Sequence, residues 1–243
     1  MSVIRVMSAS QARSRILGHL RCMPTPPEPF RPPPAMPVII PPAERFSRFQ
    51  AALEAVRGDV LAVTEENWPQ QLTLWMAGQG LSHLLVAPET APGQRMQRFC
   101  DACLPLAPPP LTLIPYDQPV ETFKPILLHK AEAALTTCRG AIAETGTLIL
   151  WPTTAEPRLM SLLPPVHIVW LDRRQIFATL EEALAQQGWA DGMPTNALLI
   201  SGPSKTADIE QTLAFGVHGP RTLLVLAVGD CDGKTDPRPE IPA

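Results

Sequence analysis

An open, mostly parallel β-sheet with helices on both faces, an α/β fold, is what this 243-residue sequence predicts. Three observations carry that expectation. Apolar runs of four to seven residues recur along the chain, among them DVLAV (59–63), VHIVWL (166–171) and TLLVLAV (222–228). These runs are almost wholly apolar rather than alternating, as a strand buried on both faces requires. Stretches with helical periodicity separate them at short intervals, the order from which βαβ units are built.

From the amino end, residues 10–21 read as a short amphipathic helix. Ser10 can cap it, Ala12, Ile16 and Leu20 share one face, and Arg13, Arg15 and Arg21 take the rest. The first 42 residues hold five arginines and one acid, Glu28, a basic arm suited to a partner or to solvent. Ten prolines between Pro24 and Pro42 remove too many N–H donors for a helix or a central strand, so this stretch is an extended linker or strap. The globular domain is expected over 43–243. Its first helix carries Phe46, Phe49, Leu53 and Val56 on one face. There follow strand 59–63, a helix over 66–78, strand HLLVA (83–87), a helix over 93–104, strand LTLI (111–114) and a longer helix over 121–135. AIAETGTLIL (141–150) holds two short strands around Glu144–Gly146, which suggests an antiparallel hairpin. Strand 166–171 precedes a helix over 173–187 on which Ile176, Leu180 and Leu184 are spaced by four. Strand ALLIS (197–201), a helix over 204–215 and strand 222–228 complete the chain.

Composition limits the function. A chain that is 45% apolar and 18% charged buries one sizeable core, and its net charge of −3 is too small for bulk nucleic-acid binding. No apolar run approaches the ~18 residues of a membrane span. Met1–Ser10 lacks the apolar core of a secretory signal. Five cysteines, odd in number and scattered, do not form a secreted disulfide framework, so a soluble protein of the reducing cytoplasm is expected. Cys100 and Cys103 form a CxxC without a second pair. Its spacing is that of a redox dithiol or half a zinc site, but on a helix it also places two cysteines in the core, and no metal is assigned.

Three segments carry candidate chemistry. In GAIAETGTL (140–148) an apolar strand delivers Glu144 to a turn with Thr145, Gly146 and Thr147. Glycine allows a sharp turn and close backbone approach, and Glu144 can serve as base, nucleophile or binding group, or pair with an arginine in a plain polar turn. In EPRLMSLLPPVH (156–167), Arg158 can clamp a carboxylate or phosphate, or neutralise Glu144 or Glu156. His167, at the head of a strand, reads as a hydrogen-bonded structural group before it reads as a catalyst. In SGPSKTADIEQTLAFGVHGPR (201–221), a strand–turn–helix junction at Ser204, Lys205 and Thr206 has the form of an anion site, without the spaced glycines of a Walker A loop. His218, Gly219 and Arg221 form a second turn able to close over the same ligand.

Together, AIAETGTL (141–148), EPRLMSLLPPVHIV (156–169) and SGPSKTADIEQTLAFGVHGPRTL (201–223) resemble the lactate-utilisation protein C family, the LUD-domain proteins, in order and spacing. The resemblance is close over the last hundred residues or so and looser over 43–135. Where the family pattern ahead of AIAETGT often carries Gly and Asp, this chain has Thr137 and Arg139. The resemblance implies a fold like that of CoA transferases and sugar-phosphate isomerases. It also implies a place in a three-component system that oxidises L-lactate to pyruvate, with iron–sulfur clusters in the partner proteins and no cofactor in this chain. The expected site is a small-anion crevice. Lys205, His218 and Arg221 would supply its positive charge, Glu144 a proton or acceptor, and Thr145, Gly146, Thr147, Arg158, Ser204, Thr206 and Gly219 its remaining contacts, for a small carboxylate or a phosphate-bearing ligand. Two other readings stay open: a stand-alone acyl or CoA transferase or ATP-dependent ligase of similar fold, and a non-catalytic assembly factor.

Overall fold

A computed structural model of the chain describes residues 9–21, 38–103, 111–207, 213–215 and 219–229. Two compact units divide after Pro37. In the first, α1 spans Ala9–Arg21, where the sequence predicts a helix, and Ile16 on it is exposed.

The second unit runs from Val38 to Ala243. In chain order its elements are α2 (Pro42–Glu54), β1 (Asp59–Val63), α3 (Trp68–Gly78), β2 (His83–Val86), α4 (Ala91–Cys103), β3 (Thr112–Pro115), α5 (Val120–His129) and β4 (Ala133–Thr137). Then come β5 (Gly140–Ile142), β6 (Thr147–Leu150), a 3-10 turn at Arg158–Ser161, β7 (Val166–Asp172), a second 3-10 turn at Arg173–Gln175, β8 (Ile176–Phe177) and α6 (Leu180–Gln186). β9 (Leu198–Ile200), β10 (Lys205–Ala207), β11 (Leu213–Phe215) and β12 (Thr222–Val228) follow. Six strands form one sheet in the order β1-β12-β7-β4-β2-β3, every neighbouring pair parallel. A second sheet has the order β8-β5-β6-β9, with β5–β6 the antiparallel hairpin read from 141–150. The predicted α/β class with a mostly parallel sheet is therefore the one observed.

Both faces of the parallel sheet are covered, which is why its strands are mostly apolar. On one face, Trp68, Leu72 and Met76 of α3 and Met96 and Cys100 of α4 pack on Leu84, Leu135, Ile168, Leu224 and Leu226. On the other, Phe49 and Leu53 of α2 join Ala141, Leu148 and Leu150 of the second sheet against Val169, Leu171, Leu223 and Val225. Phe123 and Leu127 of α5 cover Leu85 and Ala134 on that same side. The outer face of the second sheet is closed by Ala183 of α6 and by Trp189, over Ile142, Ile149 and Phe177. Fully burying each large side chain contributes about 1.5–3 kcal/mol, so the two faces hold most of the fold's driving force.

Three elements differ from the sequence reading. The helix predicted over 121–135 stops at His129, and Ala133–Thr137 is a strand at the centre of the sheet, between β2 and β7. Alanine and leucine favour a helix in isolation, but burial on both sides decides for the strand. The helix predicted over 173–187 is confined to Leu180–Gln186. Ile176, counted on its face, lies in β8 beside Ala141 of β5. The helix predicted over 204–215 is replaced by an antiparallel pair, Lys205↔Phe215 to Ala207↔Leu213. The helix start assigned to Ser204, Lys205 and Thr206 does not exist, and an anion site made by its dipole is removed with it.

Candidate functional site

The turn between β5 and β6 carries the glutamate–threonine–glycine sequence. Gly146 has φ +64°, and a Cβ there would stand 2.6 Å from the Leu53 amide nitrogen and 2.9 Å from the Ala52 carbonyl carbon. The glycine thus seats the turn against the last turn of α2. Glu144 is exposed, its N–H donates to the Ala178 carbonyl (3.1 Å), and it has no ion pair among the described residues. The next hydroxyls form a chain: Thr145 Oγ1 to Thr147 Oγ1 is 2.6 Å, and Thr147 Oγ1 to Ser201 Oγ is 2.7 Å. Thr147, the middle link, is buried.

Ser201 borders a cavity of about 220 Å³. The loop Ser201–Ser204 and Gly219–Pro220 form one side of it, tied together by the Ser204 N–H donating to the Pro220 carbonyl (2.9 Å). A Cβ on Gly219 would stand 3.1 Å from the Ser204 Cβ, so these two predicted residues are close neighbours. Leu199 and Ile200 of β9, Ser161 and Leu162, and the second residues of β7 and β12, His167 and Leu223, complete the lining. The cavity therefore lies at the amino ends of β7 and β12, whereas open α/β sheets ordinarily bind ligands at the carboxyl ends of their strands.

His167 is 1% exposed, and its Nε2 is 2.8 Å from Thr136 Oγ1. Burial pushes its pKa down to about 3, so the imidazole is neutral at physiological pH. No other described residue lining the cavity is ionisable. The predicted arginines stand outside the lining. Arg158 is exposed on the 3-10 turn that brings Ser161 to the cavity. Arg221 is exposed directly after Pro220, its N–H donating to the Pro165 carbonyl (2.8 Å). Lys205 and Thr206 stand in β10, and His218 lies outside the described residues.

At the carboxyl end of β4, the buried Glu156 carboxylate accepts from the Thr137 N–H (3.1 Å to each oxygen) and the Thr137 hydroxyl (2.5 Å). Burial raises its pKa above the usual range, while the Thr137 hydrogen bonds pull the other way. Cys138, pushed up to about 12 by burial, is a thiol there, and burial drives Cys100 up to about 11, so neither cysteine is a ready nucleophile or metal ligand. No cluster of metal-ligating side chains occurs among the described residues, and none of their helices is long and apolar enough to cross a membrane. A second hollow, about 470 Å³, opens at the amino end of β1 near Glu54, Arg57, Trp75 and Gln79, and no predicted site residue lines it.

Residues 125–228 match the LUD domain, a span that contains every residue placed around the cavity. The uncharacterized protein NMB1437 of Neisseria meningitidis serogroup B is 38% identical over 186 residues, covering 76% of this chain and 77% of that one. The chain belongs to the LUD-domain family. A lactate utilization protein C from Deinococcus radiodurans is 42% identical to this LUD-domain chain over 105 residues, 42% of this chain and 49% of the relative. The chain thus spans about half the length of that relative. A crystal structure of a DUF162 family protein, also from Deinococcus radiodurans, superposes with a TM-score of 0.51 at 24% identity, covering 79% of this chain and all of that one, which shows a shared fold.

Within the LUD domain, the lining hydroxyls of Ser161 and Ser201, and Thr136 hydrogen-bonded to the lining His167, are polar residues that the sequence reading did not assign to the site. Ser161 and Ser201 lie inside the three matching segments, so a listing of every hydroxyl in those segments would have found them. Thr136 carries no local signal, because its role comes only from a partner 31 residues away.

Proposed function

We propose that this LUD-domain protein is a subunit of a lactate-utilising assembly that oxidises L-lactate to pyruvate beside iron–sulfur partner proteins, and that its own part is to hold a small carboxylate. The name carried by the Deinococcus radiodurans relative supports the lactate connection. The observation that carries the site is the hydroxyl chain Thr145–Thr147–Ser201, which links the ETGT turn to the mouth of the cavity. The same cavity brings Ser204 beside Gly219, and exposed Arg158 and Arg221 each adjoin a segment that lines it. Lys205 and His218 add positive charge in this reading, Thr206 follows Lys205 in β10, Gly146 shapes the ETGT turn, and Glu144 supplies a proton or an acceptor. In this reading redox chemistry falls to the clusters of the partners.

The test is lactate-dependent dye reduction by the reconstituted assembly. Glu144→Gln and Lys205→Ala are each expected to lower the rate about ten-fold or more, the range for loss of a charged hydrogen-bonding group. Unchanged rates in both variants would remove the site.

A further inference from the structure

The cavity beside Ser201 is lined by the hydroxyl-bearing Ser161, Ser201 and Ser204 and by one buried imidazole, His167, which can present either a donor or an acceptor. His167 sits on β7 between Ala134 of β4 and Leu223 of β12. Its Nε2 faces Thr136 Oγ1, and its Nδ1 has no hydrogen bond among the described residues. At about 220 Å³ the space is smaller than the ~300 Å³ of a drug-sized site and ample for more than one water. A carboxylate drawn against Leu199, Ile200 and Leu223 would lose its hydration with no cation in the described lining to replace it. An uncharged hydroxyl or carbonyl oxygen needs only one hydrogen-bond partner, and a neutral imidazole is one.

A threonine hydroxyl both donates and accepts, so the Thr136–His167 bond is compatible with either imidazole tautomer. When Thr136 accepts from Nε2–H, Nδ1 is an acceptor and suits a ligand hydroxyl. When Thr136 donates to Nε2, Nδ1–H is a donor and suits a ligand carbonyl. A ligand that prefers one of these arrangements would select the matching tautomer. Resting on the small-carboxylate reading above, we propose that the Thr136–His167 pair reads the 2-oxygen of a small 2-hydroxy or 2-oxo acid, accepting from the hydroxy form and donating to the oxo form, with the carboxylate left at the cavity mouth. His167 would then be a binding residue that accommodates both members of a hydroxy–oxo acid pair without moving.

The experiment is imidazole 15N NMR on the full chain, with L-lactate, pyruvate, propionate and L-lactamide as probes. The His167 signals are assigned by their loss in the His167→Asn variant. Lactate is expected to fix the Nε2–H tautomer and pyruvate the Nδ1–H tautomer. Propionate, lacking the oxygen, is expected to leave His167 unmoved and to bind about ten-fold more weakly than lactate by calorimetry. Lactate that raises the melting temperature without moving His167 overturns the proposal and leaves the small-carboxylate reading intact. Lactamide that moves His167 where lactate does not keeps the pair's role and overturns the carboxylate reading at this cavity. No response at His167 to any probe overturns the proposal. Thr136→Val keeps the imidazole and is expected to abolish the opposite responses to lactate and pyruvate, with unchanged circular dichroism. Retention of both responses in that variant would remove Thr136 from the pair.

Discussion

Gly146 occupies a position that a side chain fills only by moving α2 or the turn. Its positive φ alone costs a non-glycine residue about 1–3 kcal/mol, and the Leu53 backbone 2.6 Å from an ideal Cβ adds overlap. Gly146→Ala is therefore expected to lower stability by about 2 kcal/mol or more, measured by urea unfolding. Thr147→Val removes the middle of the hydroxyl chain at nearly constant volume. Thr145 and Ser201 are exposed and can turn to water, so the expected loss is only about 1 kcal/mol. A loss well above that would mean the chain stabilises the fold and not only the placement of Ser201. At this scale the sequence was legible where a residue type has one physical use, as with a turn glycine. It was not legible where use depends on a distant partner: Thr147 and Ser201 are 54 positions apart, and Thr136 and His167 are 31.

Among elements, the longest buried strands were the plainest in the sequence. β7 and β12 are seven-residue runs in the middle of the parallel sheet, and their apolar patterning states that both faces are covered. β4 is equally central but opens with Ala133, Ala134 and Leu135, helix-favouring residues buried against α5 on one face and against α3 and α4 on the other. The hairpin β10–β11 was hidden for another reason: the i, i+4 spacing of Ile209 and Leu213 satisfies a helix pattern without requiring one. α2 joins these elements to the site. Its Leu53 is buried against the second sheet, its Ala52–Leu53 backbone seats Gly146, and Val56 just beyond it lies 3.0 Å from an ideal Cβ on Gly202. Leu53→Ala is expected to cost about 2–5 kcal/mol, with an unchanged m-value in urea, and to weaken ligand binding because both cavity-side turns lose their support.

Over the whole molecule, two buried groups, His167 and Glu156, set opposing dependences of stability on pH. The folded protein holds His167 neutral down to about pH 3, while the unfolded chain takes up that proton near 6.5. This contribution is fully present above 6.5 and is lost as the pH falls towards 3, at up to about 1.4 kcal/mol per pH unit. Glu156 acts with the other sign. Its folded pKa lies above the ordinary 4.5, so the folded state favours the protonated carboxyl, and this contribution is present below 4.5 and lost as the pH rises through the raised value. Wild type is thus expected to lose stability on the acid side through His167 and to give up part of its stability towards neutrality through Glu156. His167→Asn should flatten the profile between pH 6.5 and 3. Glu156→Gln, which keeps an acceptor for Thr137, should raise neutral-pH stability relative to wild type and lose that advantage below 4.5. Urea midpoints at half-unit pH steps for the three proteins decide it. A Glu156→Gln profile parallel to wild type from pH 4 to 8 would show that the Thr137 hydrogen bonds fully offset the burial of the carboxylate.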